Sequence, residues 1–132
     1  MPEKSFRFDL LGKQHKQADF SCGIESLDRY FHQQSGQDWR RGLAVPYVLL
    51  ETTAGRLVGY YTLSMASIVP TALSTEITRK LPAYKTFPAA LLGRLAVDRR
   101  YQGQGLGEML LLDALRRVQM ASQEVATMAV VV

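Results

Sequence analysis

The stretch Leu91–Val118, LLGRLAVDRRYQGQGLGEMLLLDALRRV, decides the fold. Its first part, Leu91 to Val97, is an apolar, β-compatible run interrupted only by Gly93 and Arg94. Asp98-Arg99-Arg100-Tyr101 follow, and then glycine at alternate positions, Gly103, Gly105 and Gly107. From there the spacing turns helical. Leu106, Met109, Leu110, Ala114, Val118 and Ala121 recur at threes and fours and fall on one face. Glu108 lies in the first turn, and Arg116 and Arg117 near the last, as the helix macrodipole favours. The unit reads as strand, glycine loop, helix.

Such a unit has a definite chemistry. The first turn of a helix carries N–H groups without intrahelical partners, and the dipole adds partial positive charge. Glycines ahead of it let the backbone approach a ligand closely, so a phosphate or pyrophosphate is the natural guest. Spacing selects among phosphate ligands. The dinucleotide fingerprint G-x-G-x-x-G requires glycine where this chain has Glu108, and no carboxylate clearly follows about 20 residues on to hold a ribose. A P-loop, G-x-x-x-x-G-K-[ST], is absent. What stands here is Gln102-Gly103-Gln104-Gly105-Leu106-Gly107, that is, Q-x-x-G-x-G.

That string, set between the Leu95-Ala96-Val97 strand and an amphipathic helix, resembles the acetyl-CoA loop R/Q-x-x-G-x-G/A of the GNAT superfamily of N-acetyltransferases. The resemblance implies acetyl-CoA as acetyl donor. It assigns the pyrophosphate to the N–H groups of Gln102, Gly103, Gln104, Gly105, Leu106 and Gly107. It also implies that the backbone of Leu95, Ala96 and Val97 borders the pantetheine arm, with Leu95 and Val97 pairing to it by position.

Outward from this unit, the chain is bounded by its composition. Its 132 residues suit one domain spanning 1–132, and 47% apolar with 21% charged residues fits an ordinary globular protein. Met1-Pro2-Glu3-Lys4 opens no signal peptide, and no apolar run approaches the ~20 residues of a membrane span. The single Cys22 cannot pair within the chain, which points to a reducing cytoplasm. Net charge is +4. Residues 1–38 hold five basic and six acidic side chains, and residues 39–132 hold eleven and six, partly as the pairs Arg40-Arg41, Arg79-Lys80, Arg99-Arg100 and Arg116-Arg117. That bias would attract a polyanion, although a solvated surface and local neutralisation of phosphates explain it too.

Upstream, Val45–Thr52 and Arg56–Val69 read as strands joined at Ala54-Gly55. Tyr61, Leu63 and Met65 lie on one face of the second strand, and Tyr60, Thr62 and Ser64 on the other. Pro70 ends it, a short helix covers Thr75–Leu81, and Pro82–Pro88 is loop. Tyr60, Tyr61 and Tyr84 are candidates for lining an acceptor site, with packing the commoner role of strand tyrosines. A helix over Glu25–Gln34 carries the stripe Leu27, Tyr30 and Phe31. His15 and His32 have no second ligand at metal spacing, so no metal site is expected. Cys22 has no catalytic-thiol signature and is expected to pack at the helix start.

His15, Phe20, Cys22-Gly23, Leu27-Asp28 and Phe31 spell H-x4-F-x-C-G-x3-L-D-x2-F. With Val58–Ser64 and Arg94–Asp98, this is similar to one branch of the family, the toxins of bacterial toxin–antitoxin pairs that acetylate the amino acid on aminoacyl-tRNA. The likeness runs from about residue 11 to 132. It implies an α/β (α+β) fold: a central mixed, mostly antiparallel sheet flanked by helices, truncated after the fifth strand. That last strand, Val125–Val132, is expected to diverge from Leu91–Val97 and open the pantetheine cleft. The family continues with a helix bearing a tyrosine, in a word like F-Y-x-x-x-G-F, and two further strands. The family's general-acid tyrosine would therefore lie beyond Val132, and no catalytic residue is assigned within the chain. The expected partners are acetyl-CoA, aminoacyl-tRNA as acceptor and a ribbon-helix-helix antitoxin; a homodimer is compatible with the resemblance and a membrane is not expected. Two alternatives stay open: acetylation of a small amine or a protein N-terminus, and an inactive remnant that binds CoA or antitoxin.

Overall fold

Elements follow in the order β1 (Phe6–Leu10), α1 (Glu25–Arg29), α2 (Ser35–Arg40), β2 (Val45–Glu51), β3 (Arg56–Ile68), α3 (Thr75–Arg79), β4 (Phe87–Val97), α4 (Leu106–Ala121) and β5 (Val130–Val131). They belong to a computed structural model that describes residues 5–83 and 85–132. The five strands lie in sequence order in one sheet, antiparallel from β1 to β4, with β5 parallel to β4. This is the mixed, mostly antiparallel sheet that the sequence leads one to expect.

The strand period of two sends neighbouring residues to opposite faces, and here both faces are covered. On one face Phe20 and Phe31 pack against Val48, Tyr60 and Ala96. On the other Leu106, Leu110 and Ala114 of α4 pack against Leu49, Val58 and Tyr61. Adjacent residues Tyr60 and Tyr61 thus anchor two separate cores. The β2–β3 turn is held by Glu51, whose buried carboxylate accepts the N–H groups of Thr53 (3.0 Å) and Ala54 (3.1 Å).

Gly59 sets how closely α4 approaches the sheet, and Gly93 marks a bulge within it. A Cβ at Gly59 would sit 2.8 Å from Leu110 Cδ1 and 3.2 Å from the Ala96 carbonyl. Gly59 thereby lets α4 lie directly on β3, which fixes the start of α4 relative to the end of β4. Gly93 is the unpaired residue of a bulge, because Arg94 faces Thr62 while Leu92 faces Leu63. The Thr62 hydroxyl accepts the Arg94 N–H at 3.2 Å, and past this bulge the Arg94 guanidinium lies 3.5 Å from the centre of the Tyr30 ring.

Several sequence boundaries shift. The first helix does not stop at Gln34: a π-helical turn over Tyr30–Gln34 connects α1 to α2, so helical backbone continues to Arg40. Ser35 and Gly36 are weak helix formers, but tertiary contacts override propensity. The Ser35 hydroxyl (2.7 Å) and the Gln17 amide (2.6 Å) both donate to the Phe31 carbonyl inside that turn. β4 begins at Phe87, inside the expected loop, with Pro88 opposite Ser67 near the strand's end, where a missing N–H is tolerated. Only Val130–Val131 of the expected Val125–Val132 strand forms a ladder; Met128 and Ala129 approach β4 through single backbone bonds to Pro88 and Ala90. On α4 the buried row is Leu106, Leu110, Ala114 and Val118, a strict four-residue repeat, while Met109 is 38% exposed and Ala121 is also exposed.

Candidate active site

The site is built where β4 hands over to α4. Asp98 caps a 3-10 turn, Arg99–Tyr101, by accepting the Arg100 N–H. Gly103 and Gly105 follow with φ of +80° and +79°. Residues with a Cβ rarely adopt this left-handed region, which explains glycine at both positions. A Cβ at either would meet nothing within 4 Å, so the loop face is open. Gly105 is the N-cap of α4 and offers no side-chain cap, which leaves the first-turn N–H groups without one. Gln102 to Gly105 are exposed, and Gly107 lies 3.8 Å (as a notional Cβ) from Val97 Cγ2.

The edge of β4 can be read from the register. Asp98 donates its N–H to the Val58 carbonyl on β3. Antiparallel backbone groups alternate between the two edges. Leu95 and Val97, paired with Tyr61 and Gly59, therefore present N–H and C=O to the edge away from β3. Gln102 Nε2 donates to the Val97 carbonyl there at 3.0 Å. β5 meets β4 upstream of this edge, at Ala90 and Leu91. Ala96 instead turns its side chain into the core under α1.

A second layer, which sequence reading did not single out, ties the loop to residues 19–22. The Asp98 side chain is 1% exposed. Its oxygens accept the Arg100 N–H (2.9 Å), Arg100 Nε (2.9 Å), Arg100 Nη2 (3.0 Å) and the Ser21 N–H (3.2 Å). Burial works against the charge, but the bonds from the Arg100 side chain, the Arg100 N–H and the Ser21 N–H outweigh it and hold the carboxyl below the usual carboxylate range. The sequence signals for it are its place between strand and glycines and its membership of the Arg94–Asp98 word.

The remaining candidates separate cleanly. Tyr60 and Tyr61 are fully buried, as packing residues are. Tyr60 stacks on Phe31 and donates its hydroxyl to the Leu27 carbonyl at 2.8 Å, while Tyr61 stacks on Tyr47 and donates to Asp113. Burial pushes both phenols far up. Tyr84 lies outside the described residues. His15 is buried, with Nδ1 accepting the Gly12 N–H, and His32 bonds the Phe20 carbonyl. Among the described residues no group of three or more His, Cys, Asp or Glu could hold a metal ion. Cys22 is buried, and burial raises its thiol further from ionisation.

Two hollows adjoin these elements. The larger, about 650 Å³, lies at the far end of α4 between Trp39, Leu43, Tyr47, Met65, Arg117 and Val125, remote from the glycines. A shallower, polar one of about 400 Å³ borders the loop entry between Ser21, Asp28, Arg29, His32 and Arg99.

The sequence pattern of the acetyltransferase (GNAT) family matches residues 12–129. A tRNA-acetylating toxin of Mycobacterium tuberculosis is 35% identical over 113 residues, covering 86% of this chain and 66% of that protein. A probable toxin TacT of Sinorhizobium fredii is 31% identical over 104 residues, 79% of this chain and 58% of that protein. The chain thus spans less than two thirds of the length of either curated relative. Among solved structures, AtaT complexed with acetyl-methionyl-tRNAfMet superposes with a TM-score of 0.87 at 31% identity, covering 96% of this chain and 76% of that one. A mutant AtaT toxin bound to acetyl-CoA and the C-terminus of the antitoxin AtaR gives 0.73 at 29% identity, covering 92% and 71%.

Proposed function

The chain belongs to the acetyltransferase (GNAT) family, and from that membership we propose that it transfers the acetyl group of acetyl-CoA to the amino group of aminoacyl-tRNA. The observation that carries the reading is the Gln102–Gly107 loop, with both positive-φ glycines open to solvent ahead of an uncapped helix start. The N–H groups of Gln102, Gly103, Gln104, Gly105, Leu106 and Gly107 receive the pyrophosphate. The outward backbone of Leu95 and Val97 pairs with pantetheine, and Ala96 between them keeps the strand seated on the core.

Mechanistically, the reaction needs no covalent enzyme intermediate. A neutral amine attacks the thioester carbonyl, and binding both reactants on one surface supplies proximity. An N–H at the β4 edge near Val97 polarises the carbonyl oxygen. A water acts as base toward the ammonium. The described tyrosines Tyr60 and Tyr61 are committed to buried hydrogen bonds and take no part in protonating the thiolate.

Aminoacyl-tRNA as acceptor is supported by the tRNA-acetylating relative and by the AtaT complex with acetyl-methionyl-tRNAfMet. The structure of AtaT with AtaR supports an antitoxin partner, which we take to be a ribbon-helix-helix protein. No described helix is long and apolar enough to cross a membrane, and we place the activity in the cytoplasm. The test is transfer of labelled acetyl from acetyl-CoA to charged tRNA, with polyamines and peptide N-termini as competing acceptors. Label on charged tRNA alone is the expected result. Label on the small amines, or binding of acetyl-CoA without any transfer, overturns it.

A further inference from the structure

We propose that Asp98 is the positioning residue of the glycine loop: its buried carboxylate fixes the loop entry to residues 19–22, so that the N–H groups of residues 103–107 face the acetyl donor in one orientation. The inference rests on reading that loop as the acetyl-CoA site.

The loop's own glycines cannot set its direction. On the side where a Cβ would stand, Gly103 and Gly105 face open space among the described residues, so no side-chain packing on that side clamps them. Orientation must come from the residues leading in, and these are tied down densely. The Asp98 carboxylate takes the Arg100 guanidinium as a two-pronged pair together with the N–H groups of Arg100 and Ser21. Arg100 Nη2 reaches on to the Asp19 carbonyl at 3.0 Å. The Arg99 N–H donates to the Ser21 carbonyl at 2.8 Å, and Gln102 Nε2 spans the Cys22 and Val97 carbonyls, each at 3.0 Å. Residues 21–22 are held from their other side by Asp28 of α1, which accepts the Cys22 N–H (2.8 Å) and the Ser21 hydroxyl (3.0 Å). Four of these bonds join the chain around residue 20 to the chain around residue 100, and the Asp98 carboxylate serves two of them, directly at Ser21 and through Arg100 at Asp19.

A buried charge of this kind persists only while every partner is in place, and removing the charge strands the donors that served it. In Asp98→Asn an amide N–H₂ would face Arg100 or Ser21, both donors, and the loop entry would come loose without any change at the glycines.

The experiment compares wild type, Asp98→Asn, and Val48→Ala as a core-destabilised control with an intact loop. Each is assayed for acetyl-CoA KM, kcat and amide hydrogen exchange at residues 99–107. Displacing a positioned group by about 1 Å lowers productive binding by up to ~100-fold. We expect Asp98→Asn to raise the acetyl-CoA KM about 10- to 100-fold with kcat at saturation within about twofold, and to speed exchange at 99–107. Val48→Ala should lower Tm and leave the KM as it was. An unchanged KM in Asp98→Asn, or an equal rise in Val48→Ala, overturns the proposal. Should Asp98→Asn fail to fold, Arg100→Met, at a half-exposed position, breaks the same pair and is held to the same thresholds. Should wild type not bind acetyl-CoA, the functional reading fails by itself, and exchange then decides: unchanged protection at 99–107 in Asp98→Asn sinks the positioning role.

Discussion

At the scale of single residues, what matters is which side chains are free to act. Gly105 has φ +79° and an open flank, so its side-chain position is where a ligand would press. Gly105→Val forces a β-branched residue into the left-handed region, where such residues are genuine outliers. We expect acetyl-CoA affinity to fall by at least ~100-fold with the helix otherwise intact, a loss comparable to that of a misplaced binding group. Calorimetric titration with acetyl-CoA, against NADH as control ligand, reads this directly; unchanged affinity would remove the loop from the site. Tyr60 is the opposite case. Among the described residues its hydroxyl bonds the Leu27 carbonyl, which also accepts the Tyr30 N–H, so Tyr60→Phe removes one hydrogen bond without orphaning its acceptor and should reduce stability by about 0.5–1.5 kcal/mol. Acetyl transfer should stay within about twofold of wild type. A hundredfold fall in kcat at unchanged Tm would instead give Tyr60 a role in the chemistry.

At the scale of elements, the strand–loop–helix unit works because α4 lies tightly on the sheet. Leu110 fills the space that Gly59 leaves, and a Cβ there would stand 2.8 Å from its methyl carbon. Gly59→Ala should therefore shift α4 or distort Leu110, destabilising the fold by about 1–3 kcal/mol as overpacked cores do. Chemical denaturation would measure it, and a neutral or stabilising outcome would mean that the contact is slack. The unit was readable beforehand because strand and helix periods change abruptly at the glycines, and glycine at positions 103 and 105 has a backbone reason. Other features were invisible for physical reasons. The π turn at Tyr30–Gln34 depends on hydrogen bonds to the Phe31 carbonyl from Gln17 and Ser35, the first lying far outside any local window. Met109 fits the helical spacing but not the strict four-residue row that the sheet buries. Pro88 looked like loop because its missing N–H hides the fact that its carbonyl still joins Met128. The tie from Asp98 to Ser21 has no local sequence signal, since the two stand 77 positions apart.

At the scale of the molecule, paired carboxylates at the site and elsewhere on the fold set its pH limits. Asp98 and Asp28 are held below the ordinary carboxylate range against the opposing effect of burial, Asp98 by Arg100 and Ser21, and Asp28 by the backbone and side-chain donors of Cys22 and Ser21. Asp38 is lowered by hydrogen bonds from Gln34 and Tyr30, and Asp9 chiefly by Arg7. A carboxyl depressed in the folded state stabilises the fold above its unfolded pKa of about 3.9 and loses that contribution as pH drops through the folded value. Four such groups acting together predict a steep acid limb starting near pH 4. At the other limb, burial and the bond to Asp38 push Tyr30 up to about 12. The unfolded phenol ionises first, near pH 10, so stability falls as pH rises from about 10 toward that raised value. Thermal melts from pH 3 to 11.5 should trace a plateau between these limbs. Tyr60 and Tyr61, raised by burial, add to the same alkaline limb, so Tyr30→Phe should make that limb shallower without abolishing it and leave the acid one, and Asp98→Asn should shallow the acid limb while lowering the plateau. An acid limb of unchanged steepness in Asp98→Asn would mean that its carboxylate titrates as if exposed, which the geometry at Arg100 and Ser21 does not allow.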